Sequence, residues 1–204
     1  MFVISVTGGI ASGKSTLTEY LKPAAAAVVD ADDIAREAMR PGKPAYQPVI
    51  DRFGGGIVTA AGAIDRPALA AIVFNNPAAL ADLNELTHPI IAELINARLA
   101  ELEATLPEAA IVILRAPLLM EAGLADVGDL TVVVTAPEDT RVERITKFRG
   151  ADPVDARRRI AAQMPDEERV KYADIVVANT SDRSALAQAA ENILTRARQR
   201  QEER

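Results

Sequence analysis

The chain has 204 residues, 49% of them hydrophobic, with no cysteine and a formal net charge of −6. A chain of this size and apolar content can bury a full core, so global disorder is excluded, and its acidic balance argues against a general nucleic-acid or membrane-surface binder. The lack of cysteine excludes disulfides, a thiolate nucleophile and a cysteine-based zinc site. In addition, no apolar run approaches the ~20 residues that span a bilayer, so we expect a cytoplasmic protein.

Five short runs of β-branched and apolar residues alternate with long helical patterns. The runs end near Val6, Val29, Leu114, Thr135 and Ala178. This alternation predicts a parallel sheet that is covered by helices on both faces, because parallel strands need crossover connections. The fold class is therefore α/β, with a five-stranded parallel sheet at the centre of three layers.

The first strand runs directly into the sequence Gly-Gly-Ile-Ala-Ser-Gly-Lys-Ser at residues 8–15, which fits the pattern G-x-x-x-x-G-K-[ST]. A strand before this pattern and a helix after it form the context of the P-loop, so we predict a P-loop NTPase core rather than a chance glycine turn. Backbone amides at a helix N-terminus favour phosphate oxygens, Lys14 adds a charge for the β- and γ-phosphates, and Ser15 offers a hydroxyl to Mg²⁺. The predicted nucleotide contacts are Gly8, Gly9, Ala11, Ser12, Gly13, Lys14, Ser15 and Thr16.

The second strand ends in three aspartates within four residues. In an extended segment Asp30 and Asp32 point to the same side, and ligands of open α/β sheets collect at the carboxyl ends of the strands. We therefore predict that both carboxylates project toward the phosphate site and that Asp32 is catalytic. The alternative is that Asp32 or Asp33 caps a helix that begins near Ile34.

Residues 33–106 show helical periodicity interrupted by glycine and proline, and this interval is too long for a simple crossover. We interpret it as an inserted helical substrate subdomain. Within it, Arg66 lies at a helix start between Asp65 and Pro67, where it can clamp a phosphate or carboxylate, or else remain a solvated surface arginine. His88, the only histidine, is expected to be a hydrogen-bonded packing residue, and zinc is excluded.

The third strand carries no aspartate at its end, where many P-loop NTPases have a second carboxylate for Mg²⁺, and this makes Asp32 more important.

Residues 141–159 then hold seven basic and three acidic residues, a local reversal of the overall charge. We interpret residues 137–172 as a helical lid over the nucleotide, with Arg144 and Arg149 as phosphate contacts. For residues 157–159 a solvated helix face is the better interpretation.

The fifth strand ends at Asn179, which either meets the adenine or builds the turn. The last helix has an apolar stripe and is expected to pack on the sheet. The nucleotide-binding core then comprises residues 1–32, 107–136 and 173–204.

The ordered set of motifs resembles the bacterial dephospho-CoA kinase family from Val3 to about Asn179. The matching pieces are Thr7 to Ile10 through Thr16, Asp30 with Asp32, Pro41-Gly42, Phe53-Gly54, Gly62 with Ile64 to Arg66 and Leu69, Phe74, Leu83-Asn84 with His88-Pro89, Pro117 to Leu119 with Glu121, Arg144, Arg149, Gln163, and Ala173-Asp174 with Asn179. The phosphate loop alone is shared by many kinases and switches, whereas the ordered set is far more specific.

The resemblance implies ATP-dependent phosphorylation of the ribose 3′-hydroxyl of dephospho-CoA, the closing step of coenzyme A synthesis, with ATP and Mg²⁺ as the bound groups. It implies Asp32, Lys14 and Arg144 as catalytic residues, and Asp32, Arg66, His88 and Leu118 as contacts of dephospho-CoA. The chain departs from the family in two places: Arg115 stands where an acidic residue is common, and Met120 stands where an aromatic or aliphatic residue is common.

Two rival interpretations differ in their expected features. A P-loop kinase of another small hydroxyl or nucleotide substrate would share the fold and the loop. A nucleotide-dependent switch would need a strand-ending aspartate and a base-reading signature. The D-x-x-G pattern at residues 51–54 lies in a helical stretch and no N-K-x-D follows, so we attribute it to chance. The sequence does not predict an oligomeric state.

Overall fold

The computed structural model describes residues 1–117, 120, 123–124, 126–180 and 183–204. Five strands are present in this part of the chain: β1 Phe2–Thr7, β2 Ala27–Asp30, β3 Ile111–Arg115, β4 Leu130–Thr135 and β5 Ile175–Ala178. The α-helices are α1 Lys14–Leu21, α2 Ala31–Ala38, α3 Tyr46–Phe53, α4 Arg66–Val73, α5 Pro77–Thr105, α6 Glu138–Arg149, α7 Pro153–Ala161, α8 Asp166–Arg169 and α9 Arg183–Glu202.

The strands form one parallel sheet in the order β2-β3-β1-β4-β5, which confirms the predicted fold class. The central strand β1 is buried along its whole length, as expected of a strand with neighbours on both sides and helices on both faces. β3 continues one residue beyond its predicted end at Leu114. Its last residue, Arg115, is therefore paired with Val6 of β1 and Asp30 of β2.

Alternate residues of the sheet bury into two separate cores. On one face Phe2, Ile4 and Val6 pack with apolar residues of α1 and α9, as predicted for the last helix. On the other face Val3 packs with residues of β2 and β3 and with the C-terminal half of α5. The period-2 alternation of a strand thus produces the three layers.

A third apolar cluster joins α3, α4 and the N-terminal end of α5, and it includes Val49, Leu69 and Ala79. The starts of α4 and α5 are capped by side chains, with Asp65 accepting from the amide of Ala68 at 3.0 Å. That contact confirms the predicted helix start at Arg66. The 29-residue helix α5 belongs both to this cluster and to the sheet core, so it links the two.

A fourth cluster joins α6 and α7 to the phosphate loop. Val142 and Ile145 of α6 and Ile160 of α7 pack together, with Ile10 and Ala11 against them. This packing fixes the basic face of α6 next to residues 8–15.

The amino ends of three strands are tied by carboxylates. Asp129 accepts from the amide of Val3 and Asp174 from that of Thr131, both at 2.7 Å. Arg200 of α9 donates to the Asp129 carbonyl at 2.8 Å and to the Asp174 carboxylate at 2.7 Å. These contacts lie at the edge of the sheet opposite the phosphate loop.

Across the described ranges, no helix has both the length and the apolar content needed to traverse a bilayer.

Replacing Asn76 by alanine tests the capping of α5. The Asn76 side chain accepts from the amides of Ala78 and Ala79 at 3.0 and 3.3 Å. Loss of such a cap lowers the free energy of unfolding by about 1 kcal/mol, which urea denaturation would measure. Asn76→Asp is the matched control because aspartate retains the acceptor. Equal stability of the alanine variant and the wild type would contradict this assignment.

Candidate active site

The phosphate loop connects the carboxyl end of β1 to the N-terminus of α1. Gly8 and Gly13 have φ angles of 141° and 109°. A Cβ at Gly8 would lie 2.1 Å from the carbonyl oxygen of Val134, and one at Gly13 would lie 2.1 Å from the side-chain nitrogen of Asn179. Both the backbone angles and the available space therefore require glycine at these two positions.

Lys14 is buried beneath this loop. Its ammonium donates to the carbonyl oxygens of Gly8 and, at 2.7 Å, of Gly9, and both partners are neutral. Burial, followed by the charge of Arg169, lowers the pKa of Lys14 from 10.5 to about 7, although Asp32 acts in the opposite direction. The site consequently stabilises an anion placed next to this nitrogen.

Two arginines of α6 contact the loop from the other side. Arg144 donates to the carbonyl oxygens of Ala11 at 3.1 Å and Ser12 at 3.4 Å. Arg141 is buried and donates from Nε to the Ile10 carbonyl at 2.9 Å. Burial lowers the pKa of Arg141 against the opposing effect of Asp166. The face of α6 that points to the loop thus carries two positive charges one turn apart.

Sequence reasoning did not select Arg141, which contacts the loop, or Arg169, which acts on the pKa of Lys14. Arg141 lies three residues before Arg144, so the helical period already placed both on one face. Arg169 is fully buried and pairs with Asp166 at 2.7 Å, and Asp166 also lies 3.6 Å from Arg141. The run Asp-Glu-Glu-Arg around it looks like a solvated helix, so the sequence carries no signal for this burial.

The remaining loop contacts brace its backbone. Gln163 accepts from the amide of Ile10 at 2.7 Å, and Asn179 donates to the Ser12 carbonyl at 2.6 Å. Asn179 is itself buried, with its amide bonded to the carbonyl of Thr135. In this arrangement Asn179 supports the phosphate loop, which is closer to the predicted turn-building role than to an adenine contact.

The geometry predicted for the aspartates was wrong in one respect. The helix expected near Ile34 begins at Ala31, and its cap is Asp30, whose side chain accepts from the amide of Asp32 at 3.0 Å. Asp32 therefore lies in the first helical turn rather than in an extended segment. Neither Asp32 nor Asp33 is the cap, because Asp30 satisfies the amides of that turn first.

Asp32 and His88 line one cleft of about 170 Å³ between α2, α5 and the segment after β3. Its other walls are largely apolar and include Leu83, Ile91 and Pro117. Asp32 also acts on the pKa of Lys14, so its carboxylate lies within electrostatic range of the phosphate loop. A single carboxylate thus lines the cleft and acts on the anion site, and we call its position the junction.

Arg66 stands at the exposed start of α4. Partial burial and the nearby charge of Arg36 lower its pKa, while Asp32 opposes the shift. Arg66 is thus within electrostatic range of the junction. Leu118 lies outside the described residues, as does the side chain of Arg149.

The interpretation of residues 157–159 as a solvated face was correct only in part. Arg157 is exposed and pairs with Glu138 and Asp139. Arg158, in contrast, donates to Asn75 at 2.8 Å, and the Arg159 guanidinium lies 5.2 Å from the centre of the Phe74 ring. Helix α7 therefore contacts the segment after α4.

Arg115 lies at the carboxyl end of β3, between the loop and β2. Its guanidinium donates to the Ser15 hydroxyl at 2.9 Å and forms an ion pair with Asp30. The residue predicted to bind a metal ion is therefore already hydrogen-bonded to a cation. Thr16 follows it in the first turn of α1.

The fold and the loop define a P-loop protein of the small-molecule kinase class. The shikimate kinase of Acinetobacter baumannii is 12% identical, with a TM-score of 0.55 over 96% of this chain and 92% of its own, which shows the fold alone. TT1252 from Thermus thermophilus is 32% identical with a TM-score of 0.74, covering 96% and 97% of the two chains. The dephospho-CoA kinase of Campylobacter jejuni is 27% identical with a TM-score of 0.67, covering 95% of each chain.

A sequence-family model described as Dephospho-CoA kinase matches residues 2–184. The dephospho-CoA kinase of Leifsonia xyli is 48% identical over 177 residues, which are 87% of this chain and 89% of that one. The one from Corynebacterium efficiens is 43% identical over 194 residues, covering 95% and 96%. The chain belongs to the dephospho-CoA kinase family, which confirms the resemblance. This family catalyses the final step of coenzyme A synthesis.

Proton uptake on nucleotide binding tests the environment of Lys14. The pKa of the buried amine is about 7 and its ordinary value is 10.5, so the ligand-free protein favours the neutral amine above pH 7. Between these two pH values the unfolded chain binds more protons than the folded chain, so the free energy of unfolding increases as the pH rises. A bound polyphosphate raises this pKa again. Calorimetric titration of ADP at pH 8 in two buffers of different ionisation enthalpy should therefore show proton uptake. Uptake of the same size in Lys14→Met would contradict the assignment.

Proposed function

We propose that this chain transfers the γ-phosphoryl group of ATP to the ribose 3′-hydroxyl of dephospho-CoA. The observation that carries the proposal is the buried Lys14, whose described hydrogen bonds go to neutral carbonyl groups, together with the nearby cleft that Asp32 lines. Membership in the dephospho-CoA kinase family supports the choice of acceptor.

The residues present fit a triphosphate. Gly8 and Gly13 give the loop a backbone turn and close packing that only glycine allows, which makes it a cradle for phosphate, and the buried hydroxyl of Ser12 has no hydrogen-bond partner among the described residues. Lys14, Arg141 and Arg144 supply positive charge from both sides of this cradle. When bound, ATP supplies the group that is transferred, and these cations stabilise the charge that spreads over its oxygens.

Asp32 has the second role. Its carboxylate stands where the acceptor cleft meets the phosphate loop, so it can accept a hydrogen bond from the ribose hydroxyl and orient that oxygen. It then takes the hydroxyl proton late in the reaction, which suits a loose transition state that needs little base strength. His88 lines the same cleft and Arg66 lies within electrostatic range of Asp32, and we assign both to binding of dephospho-CoA.

The predicted Mg²⁺ ligand fits less well. Among the described residues there is no group of three or more histidine or acidic side chains that could hold a metal ion. Mg²⁺ in kinases often takes only one or two protein ligands, but here the Ser15 hydroxyl already accepts from Arg115. We therefore assign no catalytic step to the metal.

We also propose three functional parts: the sheet core, the helical substrate subdomain at residues 33–106 and a lid at residues 137–172. The packing of α6 and α7 on the loop and the contact of α7 with Phe74 and Asn75 support this division. A lid in contact with both parts can exclude water from both substrates at once.

Asp32→Asn tests the catalytic assignment. The amide keeps the size of the side chain but cannot accept the proton, so we expect kcat to fall by ~10² or more while ADP affinity is retained. The assay is transfer of labelled phosphate from ATP to dephospho-CoA. Asp33→Asn is the control, because Asp33 is exposed and pairs with Arg36 on the surface. Near-normal turnover of Asp32→Asn would refute the role of this carboxylate.

The same assay separates the two kinase interpretations. Dephospho-CoA is compared with shikimate and with nucleoside monophosphates as acceptors. We expect product only with dephospho-CoA, and preferential phosphorylation of another acceptor would overturn the proposed function.

Arg159→Met tests the contact between α7 and Phe74. Removal of the cation above the ring should raise KM for dephospho-CoA by about two- to tenfold, because such contacts contribute ~0.5 to 1 kcal/mol or more. The control is Arg157→Gln, since Arg157 pairs only with acidic residues of α6 in the described contacts. Equal KM values for the two variants would argue against coupling through this contact.

A further inference from the structure

The position of Arg115 is fixed by the sheet. It is the last residue of β3, and its backbone is paired with Val6 on one side and Asp30 on the other. Its side chain therefore starts directly beside the phosphate loop. From there the guanidinium bridges the Ser15 hydroxyl and the Asp30 carboxylate, with 26% of the Arg115 side chain and 10% of the Asp30 side chain exposed.

Both groups that this guanidinium holds are oxygen donors of the kind that Mg²⁺ prefers. Mg²⁺ binds oxygen at about 2.1 Å, so a metal ion on Ser15 would lie within roughly 4 Å of the Arg115 nitrogen that the hydroxyl now accepts from. Two cations at that separation repel each other by several kcal/mol unless an anion lies between them. The present hydrogen bond and a metal ion on Ser15 are therefore in competition.

The ion pair also removes the attraction for a free metal ion. The other oxygen of Asp30 accepts from the amide of Asp32, so both of its carboxylate oxygens are engaged. Arg115 neutralises the charge of that carboxylate. A polyphosphate changes this balance because it offers the guanidinium another anionic partner.

We propose that the positive charge of Arg115 competes with Mg²⁺ for the metal position. In the nucleotide-free chain its guanidinium holds Ser15 and Asp30. In the nucleotide complex it weakens Mg²⁺ binding, because metal binding requires the guanidinium to leave Ser15. This inference rests on the proposed nucleotide binding at residues 8–15.

The test measures the coupling between metal and nucleotide. The affinity for ADP is determined by calorimetry in excess Mg²⁺ and in EDTA. The affinity in Mg²⁺ divided by the affinity in EDTA is then compared between proteins. Chelation of Mg²⁺ by ADP in solution is the same for every variant and cancels. Arg115→Gln should raise this ratio at least about tenfold, because a positive charge close to the metal is removed.

Arg144→Gln is the matched control, since it also removes an arginine that contacts the loop but lies away from Ser15. It should weaken ADP binding equally in both conditions and leave the ratio unchanged. An unchanged ratio in Arg115→Gln would overturn the proposal. Absence of ADP binding by the wild type in both conditions would instead remove the proposed nucleotide site.

A second variant covers the case in which Arg115→Gln does not fold because Asp30 is left unpaired. Asp30→Asn combined with Arg115→Gln retains the cap acceptor of α2 and leaves no unpaired charge. Its ratio should also exceed that of the wild type, by less than in the single variant because the carboxylate is absent. A wild-type ratio in this folded double variant, checked by thermal denaturation, would equally overturn the proposal.

Discussion

The structure depends on one electrostatic constraint, the burial of the Lys14 ammonium under a glycine turn. Its two hydrogen bonds go to neutral carbonyl groups, and arginines rather than carboxylates dominate the surrounding potential. Such an arrangement costs folding free energy that a well-packed sheet must offset. An added negative charge offsets this cost, which favours the binding of polyanions at this site.

The contacts around the turn serve this constraint. Residues from four separate parts of the chain hold the loop: Lys14 itself, two arginines of α6, Gln163 and Asn179. Each bonds to a main-chain group of the loop, so the backbone geometry is defined before any ligand arrives. Preorganisation of this kind avoids reorganisation during phosphoryl transfer.

The sequence predicted the parts of the fold that are encoded locally. The strands follow from β-branched runs, and the phosphate loop follows from a motif whose glycines have no substitute in its geometry. The start of α2 was predicted too late in the chain. The alternation expected along a strand takes no account of the Asp30 side chain, which accepts from a first-turn amide and so starts the helix at Ala31.

Contacts between distant segments were beyond prediction from a single sequence. The burial of Arg169, the bracing role of Asn179 and the approach of Arg159 to Phe74 each join residues far apart in the chain. Arg115 is an intermediate case. Its unusual charge was visible in the sequence, but its partners Ser15 and Asp30 became clear only once β3 was seen to extend through it.

The carboxylates at the amino ends of the strands have a consequence for how this protein can diverge. Asp129 and Asp174, together with Arg200, secure strand ends and the last helix on the side of the sheet remote from the phosphate loop. One set of residues therefore maintains the strand register and another set forms the phosphate site, at opposite edges of the sheet. Because Asp129, Asp174 and Arg200 make no described contact with the phosphate loop, a substitution such as one at Arg115 leaves these strand-end contacts in place as the sequence diverges.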